Sequence, residues 1–116
     1  MSDPAFAAIL TQLREFRESR DWQRFHTPAN LAAAIASEAG ELLHLYRWTP
    51  PADDPPLDRV EDELADLLIF ALNFSDVLGI DIEEAVLRKL ERNRARFPIS
   101  PQSPSSDRSR NERLRA

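Results

Sequence analysis

The chain has 116 residues, of which 42% are hydrophobic, enough for one domain around a single core, and its two glycines disfavour a sheet built on tight hairpins. It has no cysteine, which excludes disulfides and thiolate metal sites, so any metal must be held by oxygen or imidazole ligands. The net charge of −5 argues against a nucleic-acid binder, and no apolar run approaches the roughly 20 residues of a membrane span.

No signal peptide opens the sequence, so a cytoplasmic location is expected. The first helix is expected over about Asp3 to Asp21, behind Ser2 or Asp3 as cap and Pro4 at its first position. Phe6, Ile9, Leu10, Leu13 and Phe16 recur there at three- and four-residue spacing. After a short connection from Trp22 to Thr27, Thr27 caps a second helix that starts at Pro28 and ends near Trp48. The proline-rich stretch 50–56 reads as a loop. A third helix is expected from about Leu57 to Leu78, with Asp58 at its N-terminal dipole and Gly79 just past its end. Asp81 and Glu84 fit a capping box for a fourth helix that reaches about Arg96. The remainder, 99–116, is polar and proline-rich with almost no apolar residues and reads as a disordered basic tail. The residues after Pro98 carry a net +2, which leaves the body at −7. The fold class is therefore all-α, a four-helix-bundle-like domain over 1–98.

Helix three has Val60, Leu64, Leu67, Ala71, Phe74 and Leu78 on one stripe, with Leu68, Ile69, Phe70 and Leu72 over much of the rest. A helix apolar nearly all round is buried on all sides, which in so short a chain points to a homo-oligomer.

The second helix carries Leu31, Ile35, Glu38, Leu42 and Leu45 on one face. Glu38 thus interrupts an apolar stripe, where a carboxylate is costly unless paired or metal-bound. Glu41 lies three residues on, and Glu63 and Asp66 repeat the pair on helix three. Four carboxylates meeting at one point require a cation, and hard oxygen ligands suit Mg²⁺ or Mn²⁺. Glu61, Asp62 and Glu91 read instead as solvated surface charge. On helix four, Lys89, Asn93 and Arg96 recur on one face, an arrangement fit to hold phosphate oxygens, although a basic last turn also balances the helix dipole. Trp22, His26 and Trp48 offer flat surfaces suited either to stacking on a base or to the core.

In order, Asp21-Trp22-x-x-Phe25-His26-x-Pro28-x-Asn30-Leu31, Glu38-x-x-Glu41-Leu42, Trp48, Glu63-x-x-Asp66 and Lys89-x-x-x-Asn93-x-x-Arg96-Phe97-Pro98 resemble the MazG-like family, in its dCTP-hydrolysing branch. The resemblance covers about residues 5–98. It implies an all-α nucleoside triphosphate pyrophosphohydrolase that cleaves between the α- and β-phosphates, giving a monophosphate and pyrophosphate. It implies Glu38, Glu41, Glu63 and Asp66 as the Mg²⁺ ligands and catalytic group; which of the four is the base stays open, and Glu41 is our choice for the one that meets the attacking water. Lys89, Asn93 and Arg96 would hold phosphates, and Trp22, His26, Asn30 and Trp48 would line the nucleotide pocket. It further implies a homotetramer, a dimer of dimers, and a housecleaning role on dCTP or modified dNTPs. Phe70 stands where related proteins often have Tyr, so a sugar-hydroxyl contact is missing there and the choice between deoxyribose and ribose is open.

Two other readings compete. Glu41-Leu42-Leu43-His44 spells the Glu-x-x-His of a di-iron bundle, but the matching position on helix three is Asp66. A non-enzymatic helical interaction module explains helix three and leaves Glu38 without a purpose.

Overall fold

The computed structural model describes residues 4–47 and 54–100. Four α-helices and one short 3₁₀ turn make up the regular structure among the described residues: α1 (Pro4–Ser19), the turn Gln23–Phe25, α2 (Pro28–Arg47), α3 (Leu57–Val77) and α4 (Ile82–Arg96). The chain divides into two units, Met1–Glu83 and Glu84–Ala116, so α1 to α3 belong to the first and nearly all of α4 to the second. The expected caps Ser2 and Asp3, most of the proline loop, and the tail beyond Ser100 lie outside the described residues.

The helix starts follow their prolines. Pro4 and Pro28 each occupy the first helical position, where the missing N–H is no loss. Thr27 Oγ1 accepts the Asn30 N–H at 3.2 Å, capping α2 as its sequence predicts.

Two helices end in the same backbone device. At the end of α3, Gly79 N–H donates to Asp76 O at 3.2 Å and Ile80 N–H to Ser75 O at 2.8 Å, a Schellman motif. Gly79 takes the left-handed conformation this requires, with φ 68°. At the end of α1, Asp21 N–H donates to Glu18 O at 3.1 Å and Trp22 N–H to Arg17 O at 2.9 Å, which is the same pairing. Here the left-handed residue is Asp21, with φ 53°. The helix expected to continue to Asp21 therefore stops at Ser19, and the reversal aims the chain into Trp22.

The interior of the first unit is made chiefly by α2 against α3, with α1 packing less extensively on α3. Leu31 and Leu45 from α2 and Leu72 from α3 are its buried apolar residues. Each such leucine contributes about 2 kcal/mol when removed from water. Among the described residues three polar ones are buried with them: Arg17, Asn73 and Ser75. On α1 the inward line is Phe6, Leu10, Leu13 and Arg17, whereas Ile9 and Phe16 are exposed. On α3, Leu64, Leu68, Ile69 and Leu78 are exposed, so the expected stripe faces inward only in part.

Asp76 ties α1 to α3. Arg14 grips it with Nε at 3.0 Å and Nη2 at 2.5 Å, and Arg17 Nη2 reaches its other oxygen at 2.7 Å. The second Arg17 nitrogen donates to Asn73 Oδ1 at 2.7 Å. The bonds from Arg14, aided by those from Arg17 and by both positive charges, hold the Asp76 carboxyl below its ordinary 3.8, while burial opposes this.

Two outcomes follow. Asp76→Asn should cost about 3 kcal/mol at neutral pH, because it leaves a buried guanidinium without its counter-charge. The lowered Asp76 value means that its stabilisation is present above the ordinary carboxylate range and lost as pH falls through the lowered value. Denaturant titrations of wild type and variant should therefore converge in acid. Asp21→Gly should leave the unfolding midpoint near wild type, whereas Asp21→Val should lower stability by about 1–2 kcal/mol, as measured by thermal unfolding.

Candidate metal and nucleotide site

Glu38 sits half-buried on α2, between the buried Leu31 and Leu45 of the same face. Opposite it, α3 presents Glu63, also half-buried, and Asp66 one turn on. One carboxylate oxygen from each of Glu38, Glu63 and Asp66 lies within 4.8 Å of the other two. Two helices that must bury their leucines against each other thus bring three acids together.

The Glu38 carboxyl is pushed above its ordinary 4.5, first by burial and then by the charges of Asp66, Glu63 and Glu41, with a hydrogen bond to Glu63 acting the same way. A proton shared between two carboxylates, or a cation among them, relieves this repulsion. The donor set is all oxygen, drawn from side chains that can converge, which fits Mg²⁺ or Mn²⁺ and does not fit a soft thiolate-seeking metal. Glu41 is exposed and its charge bears on Glu38, but its carboxylate is not one of the three that converge. His44 is exposed and is likewise absent from that group, so the group lacks the imidazole that a di-iron reading requires.

The aromatic group forms beside the end of α1. Trp22 meets Phe16 edge-on, with ring centroids 5.4 Å apart, and lies 6.5 Å from the His26 ring. His26 is held below its ordinary 6.5, first by burial and then by the charge of Arg17. Asn30 donates through Nδ2 to Phe25 O at 2.9 Å, so its amide ties the 3₁₀ turn to the start of α2. Phe70 is half-buried on α3, one turn beyond Asp66. Trp48 lies outside the described residues.

In the second unit, Lys89 and Asn93 line one shallow groove of α4 with Ala85, Val86 and Leu90. Arg96 is exposed at the end of that helix, its guanidinium 5.2 Å from the centre of the Phe97 ring.

The bonded trio of buried Arg17, buried Asn73 and half-buried Asp76 was not among the expected site residues. Its signal is present nonetheless: Arg17 continues the Phe6, Leu10, Leu13 line, just as Glu38 interrupts the Leu31, Ile35, Leu42 line.

The chain is similar to known proteins over most of its length. The MazG-like family matches residues 33–110. A dCTP pyrophosphatase 1 from Bos taurus is 36% identical over 105 residues, covering 84% of this chain and 62% of its own length. A dATP/dGTP diphosphohydrolase from Cyanophage S-2L is 41% identical over 69 residues, 60% of this chain and 56% of that one. The chain therefore spans about three fifths of the length of the curated relatives it matches. The crystal structure of a pyrophosphatase from Archaeoglobus fulgidus superposes with a TM-score of 0.78 at 40% identity, covering 85% of this chain and 97% of that one. With the four helices and the acidic cluster between α2 and α3, these matches establish that the chain belongs to the MazG-like family.

The sign of the Glu38 shift yields a stability test. A carboxyl raised in the folded state favours folding below its ordinary value and loses that contribution as pH rises through the raised value. In metal-free protein at neutral pH, Glu38→Gln should therefore raise the melting temperature. Adding Mg²⁺ should raise the wild-type melting temperature and change that of the variant much less.

Proposed function

We propose that the chain is a Mg²⁺-dependent pyrophosphohydrolase of deoxynucleoside triphosphates, acting on dCTP or modified dNTPs in nucleotide-pool housecleaning. The observation that carries this reading is the convergence of Glu38, Glu63 and Asp66 across α2 and α3 in a chain of the MazG-like family. Glu38, Glu41, Glu63 and Asp66 are the acidic machinery and would hold Mg²⁺, or Mn²⁺ in its place. Such an ion, when bound, offsets charge on phosphate oxygens and polarises the phosphoryl group.

Water attacks the α-phosphorus and gives its proton to a glutamate, for which Glu41, exposed and beside Glu38, is our candidate. The bond from the α-phosphorus to the bridging oxygen breaks, and pyrophosphate leaves with that oxygen. Lys89, Asn93 and Arg96 take phosphate oxygens, with Asn93 also reaching the sugar. Trp22, His26 and Trp48 receive the base, with Asn30 shaping the turn beneath it. Phe70, lacking a hydroxyl, gives the sugar an apolar contact that does not by itself reject ribose.

The relatives act, by their names, on dCTP and on dATP or dGTP, which supports deoxynucleotides as the class and leaves the base to the aromatic pocket. Leu64, Leu68 and Ile69, exposed on α3, are what a second copy would cover, so the working form is a homo-oligomer, a dimer of dimers. The pool of free nucleotides makes the cytoplasm its place.

A panel of canonical and modified dNTPs and NTPs with Mg²⁺, scored for pyrophosphate against orthophosphate, tests the reading. Pyrophosphate with a monophosphate is the expected product pair, and folded protein that turns over no triphosphate would overturn it. Glu38→Gln or Asp66→Asn should lower turnover by about a hundredfold or more while far-UV circular dichroism stays helical. Near-normal turnover in either variant would remove the acidic cluster from the mechanism.

A further inference from the structure

Two nitrogen atoms of the first unit are buried without a hydrogen-bond partner among the described residues: Arg17 Nε and His26 Nδ1. Arg17 is only 8% exposed, and its other two nitrogens are committed at 2.7 Å each, Nη1 to Asn73 Oδ1 and Nη2 to Asp76 Oδ2. Those two bonds fix the plane of the guanidinium and leave Nε–H as a donor in search of an acceptor. An arginine nitrogen can only donate, so whatever meets it must accept. A neutral imidazole has one donor and one acceptor nitrogen, and Nδ1 accepts only when the proton is on Nε2.

The two residues are brought near by the reversal at Asp21. Arg17 O accepts the Trp22 N–H at 2.9 Å, and the 3₁₀ turn Gln23–Phe25 then carries the chain to His26. The Arg17 charge is felt at His26. Arg14 and Arg17 both pair with Asp76, and Glu18 also bears on Arg14; of these groups it is Arg17 whose charge opposes a second proton on the ring. Asp21 and Arg24, on the loop itself, are exposed and pair with each other at 3.3 Å.

We propose that Arg17 is a positioning residue for His26: its Nε–H donates to one bridging water that in turn donates to His26 Nδ1, and so fixes the imidazole neutral with its proton on Nε2. The inference rests on the nucleotide reading only for what that Nε2–H then meets, an acceptor atom on the edge of a base. A neutral donor discriminates between base edges, where an imidazolium would attract any phosphate.

The sequence contains two histidines, so long-range ¹H–¹⁵N NMR of the full chain resolves them once His44→Gln has assigned the pair. Between pH 8 and 6, His26 is expected to stay neutral, with the proton on Nε2 and an Nδ1 signal displaced by an accepted hydrogen bond. A proton on Nδ1, or imidazolium as the main form at pH 6, overturns the proposal without use of any variant. Arg17→Gln should raise the imidazolium fraction at pH 6 by about tenfold, one pKa unit. Arg17→Lys, which keeps the charge and loses Nε–H, should return the Nδ1 signal toward that of a free ring. An unchanged His26 spectrum in a folded Arg17 variant also overturns it. Lack of triphosphate turnover bears on the proposed activity and leaves these spectra as they are, so the two readings fail separately.

Discussion

The first unit is organised around a repulsion. Glu38, Glu63 and Asp66 are brought within 4.8 Å because α2 and α3 must bury Leu31, Leu45 and Leu72. Each buried leucine is worth about 2 kcal/mol, and that apolar gain is what keeps like charges together. The acids that bear on Glu38 are Asp66, Glu63 and Glu41, so its surroundings ask for a proton or a divalent cation. A site of this kind is strained by its charge rather than by its backbone. It is poised to take up an ion because the ion removes an existing cost.

The seam between α1 and α3 works by the opposite rule. There a single carboxylate, Asp76, is held by two guanidiniums, and the buried Asn73 completes the bonding of Arg17. Removing a partner from such a set is costly, since the remaining charge is stranded away from water. One face of α3 thus carries unmatched acids toward α2, and its C-terminal turns carry a matched acid toward α1. A helix with both arrangements is fixed in rotation, because turning it by one residue would expose one set and strand the other.

The helix limits were legible because prolines and Gly79 punctuate them by known steric rules. Glu38 was legible because it breaks an apolar stripe. Arg17 breaks the α1 stripe in the same way, yet it follows Phe16 directly, and the aromatic ring is the more natural choice for the inward face. Only the position of Asp76, some sixty residues away, makes the arginine the better one. The end of α1 was misplaced for a related reason: Asp21 adopts the left-handed backbone, and an aspartate does not announce that as a glycine does. Lys89, Asn93 and Arg96 share a helix by periodicity, and periodicity within one helix carries no information on what lies across from it.

The reversal at Asp21 separates two kinds of sensitivity. Trp22 is aimed by backbone bonds, N–H to C=O, which carry no net charge and do not titrate. The acidic cluster answers to pH and, where it is exposed, to ionic strength, since dissolved ions screen charges over about 8 Å at physiological salt. Salt or mild acid should therefore act on the acidic cluster while the backbone turn keeps Trp22 in its place. A chain built this way keeps the placement of an aromatic ring independent of the charge on its carboxylates.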